Sequence, residues 1–314
     1  MRRILFSAAL AAGLLSFTAC DIEDWGDAGL GHFTADFHSS YPLNATGKVS
    51  VETFNGSIEI SGWDQNTIDI SCTKYGPTQS AADDLRVETD HTPDAVSVRV
   101  VRPSAPRNHL GARFVIKLPR GALLDRLTAS NGSIRTSDGV GPARFRTSNG
   151  SIEVKGLRGA LDAQTSNAAI ELTDVAGDAT LHTSNGRIRT ANLKGALDAT
   201  TSNGGVHAEV DRADRPVRIE SSNGSVELTL PDGFSRDVRV STSNSGITLR
   251  LPSSSHAHIL ARTSNSSISS DFDLNMRGEI SKNSIDGTIG SGGPLIDLNT
   301  SNGGIRLVRG AAGI

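Results

Sequence analysis

The chain predicts an all-β fold: a single-stranded parallel β-helix, or β-solenoid, with about 18–21 residues per coil. Three observations carry that prediction. First, the run Thr147-Ser148-Asn149-Gly150-Ser151-Ile152 recurs, worn in places, around Asn55, Asn131, Asn167, Asn185, Asn203, Asn223, Asn244, Asn265 and Asn302. From Asn131 to Asn203 the step is 18 residues four times running, and the next three steps are 20, 21 and 21. Second, residues alternate on both sides of each Asn. Four before it every residue is apolar, as at Leu181 and Ile219; three before it every residue is polar, as at His182 and Glu220. Three after it stands Ile or Val, as at Ile188 and Val226; four after it the residue is polar again, as at Arg189 and Glu227. This is the period of a strand whose two faces differ. Third, aromatic residues make up only 4% of the chain. That composition suits a thin core of Ile, Val, Leu and Ala better than a bulky globular one.

Asn-Gly between alternating strands is also a hairpin signal, and a row of hairpins would give an antiparallel meander. Against it stands the repetition of one residue type at one phase in ten units, because identical side chains at a fixed period stack as ladders in a parallel solenoid. Each unit then holds two short strands joined at an Asn-Gly corner. By parity the ten asparagines face inward or sit at the inner corner, as a stacked amide ladder. The glycine eases the tight turn, with one of the pair at positive φ. Thr147, Thr165, Thr183, Thr201 and their counterparts share the inward parity, which reads as a core-edge role and not as an exposed ice-binding face.

In chain order, Arg2 and Arg3 precede a short apolar stretch from Ile4 to Phe17, then Thr18-Ala19-Cys20. The stretch is too short and wrongly flanked for a membrane span, and one Cys just after it resembles the bacterial lipoprotein signal. Residues 1–19 are therefore expected to be a signal peptide and Cys20 the lipidated residue. Removing them takes away two arginines and no acid, so 29 basic residues face 34 acidic ones. Residues 20–46 read as a tether, without a period of 2 or 3.6. Residues 47–120 read as an all-β section that starts and caps the array, with a helix or turn near 78–85 and a loop at Pro103–His109. Residues 121–310 carry the repeats. The unit at Asn283-Ser284-Ile285 has lost one residue, so a defect or bulge is expected there.

Chemistry-bearing patterns are few. No basic run marks a nucleic-acid surface. Neither His-Glu-x-x-His, Gly-x-Ser-x-Gly nor a phosphate loop occurs. His182 and His207 fall in different columns, and His256 with His258 lacks the further ligands a metal needs. Cys72, without an intramolecular partner once Cys20 is acylated, reads as a small buried hydrophobe. The outward columns mix signs, which reads as a solvated face with scattered ion pairs.

The Ser-Asn-Gly-x-Ile units, led by a strand ending Leu118-Pro119-x-Gly121, resemble the bacterial "putative adhesin" β-strand-repeat family over residues 47–310. This is a domain of unknown function found in envelope proteins. The resemblance implies a right-handed β-solenoid outside the cytoplasm and supplies no catalytic residue. The expectation is a lipid-anchored module of the cell envelope that binds, adheres or supports and is not an enzyme. It would need no cofactor and no metal, would meet the membrane through lipid on Cys20, and would meet an envelope glycan or protein but no nucleic acid. Two alternatives remain. One is a polysaccharide-acting enzyme on the same scaffold, which three or more carboxylates with basic groups in one groove would favour. The other is an envelope-stress sensor that binds a membrane regulator.

Overall fold

Alternation on either side of each Asn-Gly corner gives every coil two strands, and each strand joins a different sheet. Strands ahead of the corner, such as Ala179–Thr183 and Leu197–Thr201, form a 14-stranded sheet, here the leading sheet. Strands after it, such as Ile188–Leu193 and Val206–Val210, form a 13-stranded trailing sheet. The computed structural model describes residues 33–101, 109–212, 214–277 and 281–310. The signal peptide, Cys20 and the loop at 103–108 lie outside the described residues.

The coils stack in parallel register. In the trailing sheet Ile152 faces Ile170, Ile170 faces Ile188, and the column continues through Val206, Val226 and Ile247. In the leading sheet Ala163, Leu181, Ala199, Ile219 and Val240 stack likewise. Asn-Gly makes no hairpin, since the strands that flank it do not pair with each other. The inward columns of both sheets form one continuous core that runs the length of the stack.

The corner itself differs from the parity expectation. Thr183 and its counterparts do point inward and are buried. The strand then ends, and the next inward position falls on the glycine. The asparagines therefore lie outside: Asn55 is half-buried and the other nine are exposed. There each amide Nδ2 donates to Oδ1 of the Asn in the adjoining coil, as from Asn185 to Asn167 at 2.8 Å and from Asn203 to Asn185 at 2.7 Å. The ladder runs unbroken from Asn55 through Asn131, Asn149, Asn167, Asn185, Asn203, Asn223, Asn244 and Asn302 to Asn265.

Positive φ is not what the corner glycine supplies either. Among the Asn-Gly pairs only Gly56 has it, at 109°. The need is for close approach: a Cβ on Gly204 would collide with the carbonyl oxygen of Gly186, and one on Gly150 with that of Gly132. Left-handed backbone occurs instead at the second corner, where Asp138, Gly156, Asp174 and Asn192 recur at 18-residue steps with φ of 55–68°. Asn and Asp tolerate that region because their short side chains bond locally, and Asn192 Nδ2 reaches Asp174 Oδ1 at 2.9 Å.

Both ends are finished by excursions. After the coil at Lys48–Thr53 and Ile58–Trp63, the chain runs outward to Ala95–Val100 and Gly111–Pro119, which lie on its far side. It then returns to continue the stack at Leu123–Ala129. The antiparallel strands Thr67–Gly76 and Val87–Thr92 and the short helix Gln79–Asp83, capped by Thr78, belong to this excursion. Phe33–Pro42 pairs with Thr67–Gly76 along ten residues, so this part of the expected tether is a strand. Its half-buried Ala35, Phe37, Ser39 and Tyr41 alternate with exposed neighbours, a weak signal because an edge strand buries little. At the other end, Leu295–Thr300 and Ile305–Arg309 insert between the coil at Val238–Leu251 and the coil at Ala257–Ser270. The unit at Asn283 is a reversal and not a bulge: Ser284–Ile289 runs antiparallel to Ala257–Thr263 and closes the leading sheet with Leu274–Met276.

Ile188 is fully buried in its column and Arg189 is exposed beside it. Ile188→Asp places a charge in the core and should cost more than about 4 kcal/mol. Arg189→Asp should cost about 0.5 kcal/mol. Denaturant unfolding of both variants measures the difference; equal costs would contradict the inward and outward assignment.

Candidate functional site

With the core fixed by the coil corners, the outer faces of the two sheets are where side chains are free to act. On the trailing sheet, residues four after each Asn stack into a mixed-sign column. Arg135 reaches Glu59 at 3.5 Å and Glu153 at 3.4 Å, and Lys155 reaches Glu153 at 2.7 Å. Further along, Arg250 Nε donates to Glu227 at 2.8 Å, and His207 Nδ1 lies 3.1 Å from the other oxygen. Lys155 holds the Glu153 carboxyl below its ordinary range, and Arg250, with help from His207, does the same for Glu227. These ion pairs link neighbouring coils at two places along this face.

The leading sheet is different. A groove of about 480 Å³ crosses five neighbouring strands, from Ala179–Thr183 to Leu295–Thr300. The four spacings between five strands make it about 20 Å long. One wall is the column five residues ahead of each Asn, where Asp198, Arg218, Arg239 and Asp297 follow one another. The other is the column seven ahead, where Asp178 and Asp237 frame the small or flat Ala196 and Pro216. Those low side chains open the groove.

Its charges are held in place. Asp178 Oδ1 accepts the backbone N–H of Ala196 at 2.9 Å, and Asp237 Oδ1 that of Leu295 at 3.0 Å. Arg218 donates to Glu220 at 2.5 Å, and Arg239 Nε lies 3.4 Å from Asp297. Each of Asp178 and Asp237 keeps one oxygen for a visitor. Four carboxylates against two guanidinium groups, both paired, make the groove acidic and rich in acceptors. A partner that presents N–H, O–H or cationic groups along an extended backbone matches it.

None of these six residues was expected at a site, although the signal is present in the sequence: the alternation is plain within four residues of each Asn, and the charged columns lie at five and seven. Cys20, the expected lipidation site, is outside the described residues. The ten asparagines come together as the exposed ladder. His182 and His207 belong to different sheets, while His258 pairs with Asp286 of the cap at 2.8 Å and His256 sits apart in a loop. Burial pushes the Cys72 thiol up to about 12, as befits a structural cysteine. Among the described residues there is no cluster of three metal-ligating side chains and no helix long and apolar enough to cross a membrane.

The trailing-face pairs give a pH signature. Glu227 has a depressed folded pKa, so its stabilisation is present above the unfolded glutamate value of about 4.3 and is lost as pH falls through the folded value. Arg250→Gln should therefore lower the melting temperature near neutral pH, by at most about 2–4 °C, since an exposed pair contributes about 0–1 kcal/mol. That gap should close as the pH is taken down toward 2, as thermal melts across the range will show.

Several solved structures are similar to this chain. A "putative adhesin" from Parabacteroides merdae ATCC 43184 is 11% identical over 87% of this chain and 96% of its own, with a TM-score of 0.44. A "putative lipid binding protein" from Parabacteroides distasonis ATCC 8503 is 13% identical over 87% and 97%, with a TM-score of 0.33. A "putative cell adhesion protein" from Clostridium sporogenes ATCC 15579 is 11% identical over 88% and 100%, with a TM-score of 0.23. No curated protein matches. The family model described as Toastrack DUF4097 matches residues 42–258, more than half of the chain, so the protein belongs to the Toastrack DUF4097 family.

Proposed function

We propose that the protein is a lipid-anchored β-solenoid of the bacterial cell envelope that binds an extended partner, an envelope glycan or protein, without turning it over. The observation that carries the reading is the five-strand groove on the leading sheet. In each wall two carboxylates lie three strand spacings apart, about 14 Å, Asp198 with Asp297 and Asp178 with Asp237, and a stacked scaffold holds them in place. A rigid row of acceptors loses little entropy on binding an extended chain. The anchor rests on sequence alone: a short apolar leader ends at Cys20, and residues 21–32 separate that cysteine from the first strand, Phe33–Pro42.

A second reading has one observation in its favour. Asp178 with Asp198, and Asp237 with Asp297, lie on adjacent strands in the same groove, and glycoside hydrolysis uses two carboxylates that flank one bond. The two readings part on turnover.

A glycan array and a pull-down with residues 21–314 should find saturable binding with the partner recovered intact. Asp198→Lys combined with Asp297→Lys should weaken it at least about tenfold, as loss of charged hydrogen bonds would. Arg189→Asp on the opposite sheet should leave it unchanged. Cleavage of the bound polymer, abolished by Asp198→Asn, would establish the enzyme reading instead. For the anchor, a palmitate analogue should label the wild type and not Cys20→Ala; equal labelling would remove that part of the proposal.

A further inference from the structure

Three loops meet near the distal end of the stack, two of them at the second corner and the third joining Ser284–Ile289 to Leu295–Thr300 within the leading sheet. They are 231–236, 252–256 and 290–294, and each contains or adjoins a proline at a strand end. Together they form a cup of about 420 Å³, separate from the groove and within the usual size of small-molecule sites. We propose that this cup is a binding site for a neutral saccharide unit, of mono- or disaccharide size. The inference stands independently of the groove.

His256 forms one side of the cup. The backbone N–H of Ser291 donates to its Nδ1 at 3.0 Å, and the Ser291 hydroxyl lies 3.2 Å from the same atom. The backbone donor on Nδ1 leaves the proton of the neutral ring on Nε2. Gly290, at φ 58°, passes so close that a Cβ there would strike the imidazole, so backbone holds the ring in place. His256 itself is exposed and lines the cup, which makes Nε2–H a fixed donor.

Asp232 supplies the acceptor. Its Oδ1 takes the N–H of Gly233 at 3.0 Å and the hydroxyl of Ser254 at 2.9 Å, which orients the carboxylate and leaves Oδ2 for a ligand. Ser235 adds an exposed hydroxyl, while Phe234 and Pro294 give apolar surface. Ser255 also lines the cup; it is 5% exposed, and its hydroxyl has no partner. An unpaired buried hydroxyl is a standing cost, and here it sits in the wall of a polar recess and not in the core.

The chemistry of this set selects its ligand. One oriented carboxylate, one imidazole N–H and serine hydroxyls over a small apolar patch offer donors and acceptors in alternation. Vicinal hydroxyls ask for that pattern, and a sugar ring offers its C–H face to the apolar part. An anion would face Asp232 without a cation in the lining to compensate. A cation would find a single carboxylate that already accepts two hydrogen bonds.

Saturation-transfer NMR with the full mature chain tests this, with glucose, galactose, mannose, N-acetylglucosamine, cellobiose and diacetylchitobiose as neutral probes and glucuronate and glucosamine as charged ones. The expected result is transfer from at least one neutral probe at millimolar concentration. Affinity should fall about tenfold or more in Asp232→Asn, in line with loss of a charged hydrogen bond. Ser235→Trp, which fills the cup from an exposed position, should abolish transfer. Both variants should melt like the wild type, and Asp198→Lys in the groove should bind the sugar normally. No transfer from any neutral probe to the folded wild type would overturn the proposal. So would transfer that both variants leave unchanged, or stronger binding of a charged probe.

Discussion

The structure depends on how one coil's corner sits on the next. At that point the buried Thr hydroxyl has two duties. Thr201 Oγ1 donates to the carbonyl of Gly186 in the preceding coil at 3.2 Å and accepts the N–H of Gly204 in its own at 3.2 Å. The same arrangement recurs at Thr147 with Gly132 and Gly150, and at Ser221 with Gly204 and Gly224. A strand that turns a corner must leave backbone groups without ladder partners, and leaving them buried and unpaired would cost about 1–3 kcal/mol each. One hydroxyl satisfies a donor and an acceptor at once, but only when the backbones meet closely. Glycine allows that approach. Outside, the amide ladder repeats the pairing one layer further from the core. Thr, Gly and Asn are thus three answers to one need, and Ser joins through its backbone, as where Ser184 N–H and Asn185 N–H both donate to the Ser166 carbonyl.

That corner sets the period, and the period sets the surface. Once every coil must present the same corner at the same height, extra residues can enter only at the opposite one. The units with 20- and 21-residue steps do this, and their additions fall at the second corner near 211–212 and 231–236. Two loops of the saccharide cup, 231–236 and 252–256, are such additions, and the third, 290–294, comes from the reversal at Ser284–Ile289. The groove, by contrast, arises within the regular part, where small side chains at 196 and 216 lower one wall. The scaffold yields two kinds of recess: one by subtraction in a column, the other by insertion at a corner.

The ends obey a different constraint. A parallel stack exposes an unpaired edge on each sheet at either end, an invitation to aggregation. Here the outermost coil at each end is made by an excursion from the stack, carries antiparallel strands over it, and is followed by a return that completes an inner coil. The chain enters and leaves the stack at inner coils, so neither outermost coil is the first or last to be laid down. Such pairing joins residues far apart in sequence, as where Glu59 of one coil lies opposite Arg135 of the next.

The sequence by itself determined the solenoid, the coil length, the inward columns and the buried threonines, because these follow from spacing alone. It misjudged what depends on the third dimension. Parity assigned Asn inward because alternation was carried through a corner where the strand had already ended. Asn-Gly suggested positive φ, whereas contact between coils is what demands the glycine. Stacking order at the ends could not be read, since coils separated in sequence carry the same motif and any of them could lie adjacent. The six charged residues of the groove and the three loops of the cup were visible as letters. Only the tertiary structure decided that they meet, because neighbours in a solenoid are one coil apart in space and 18 or more residues apart in the chain.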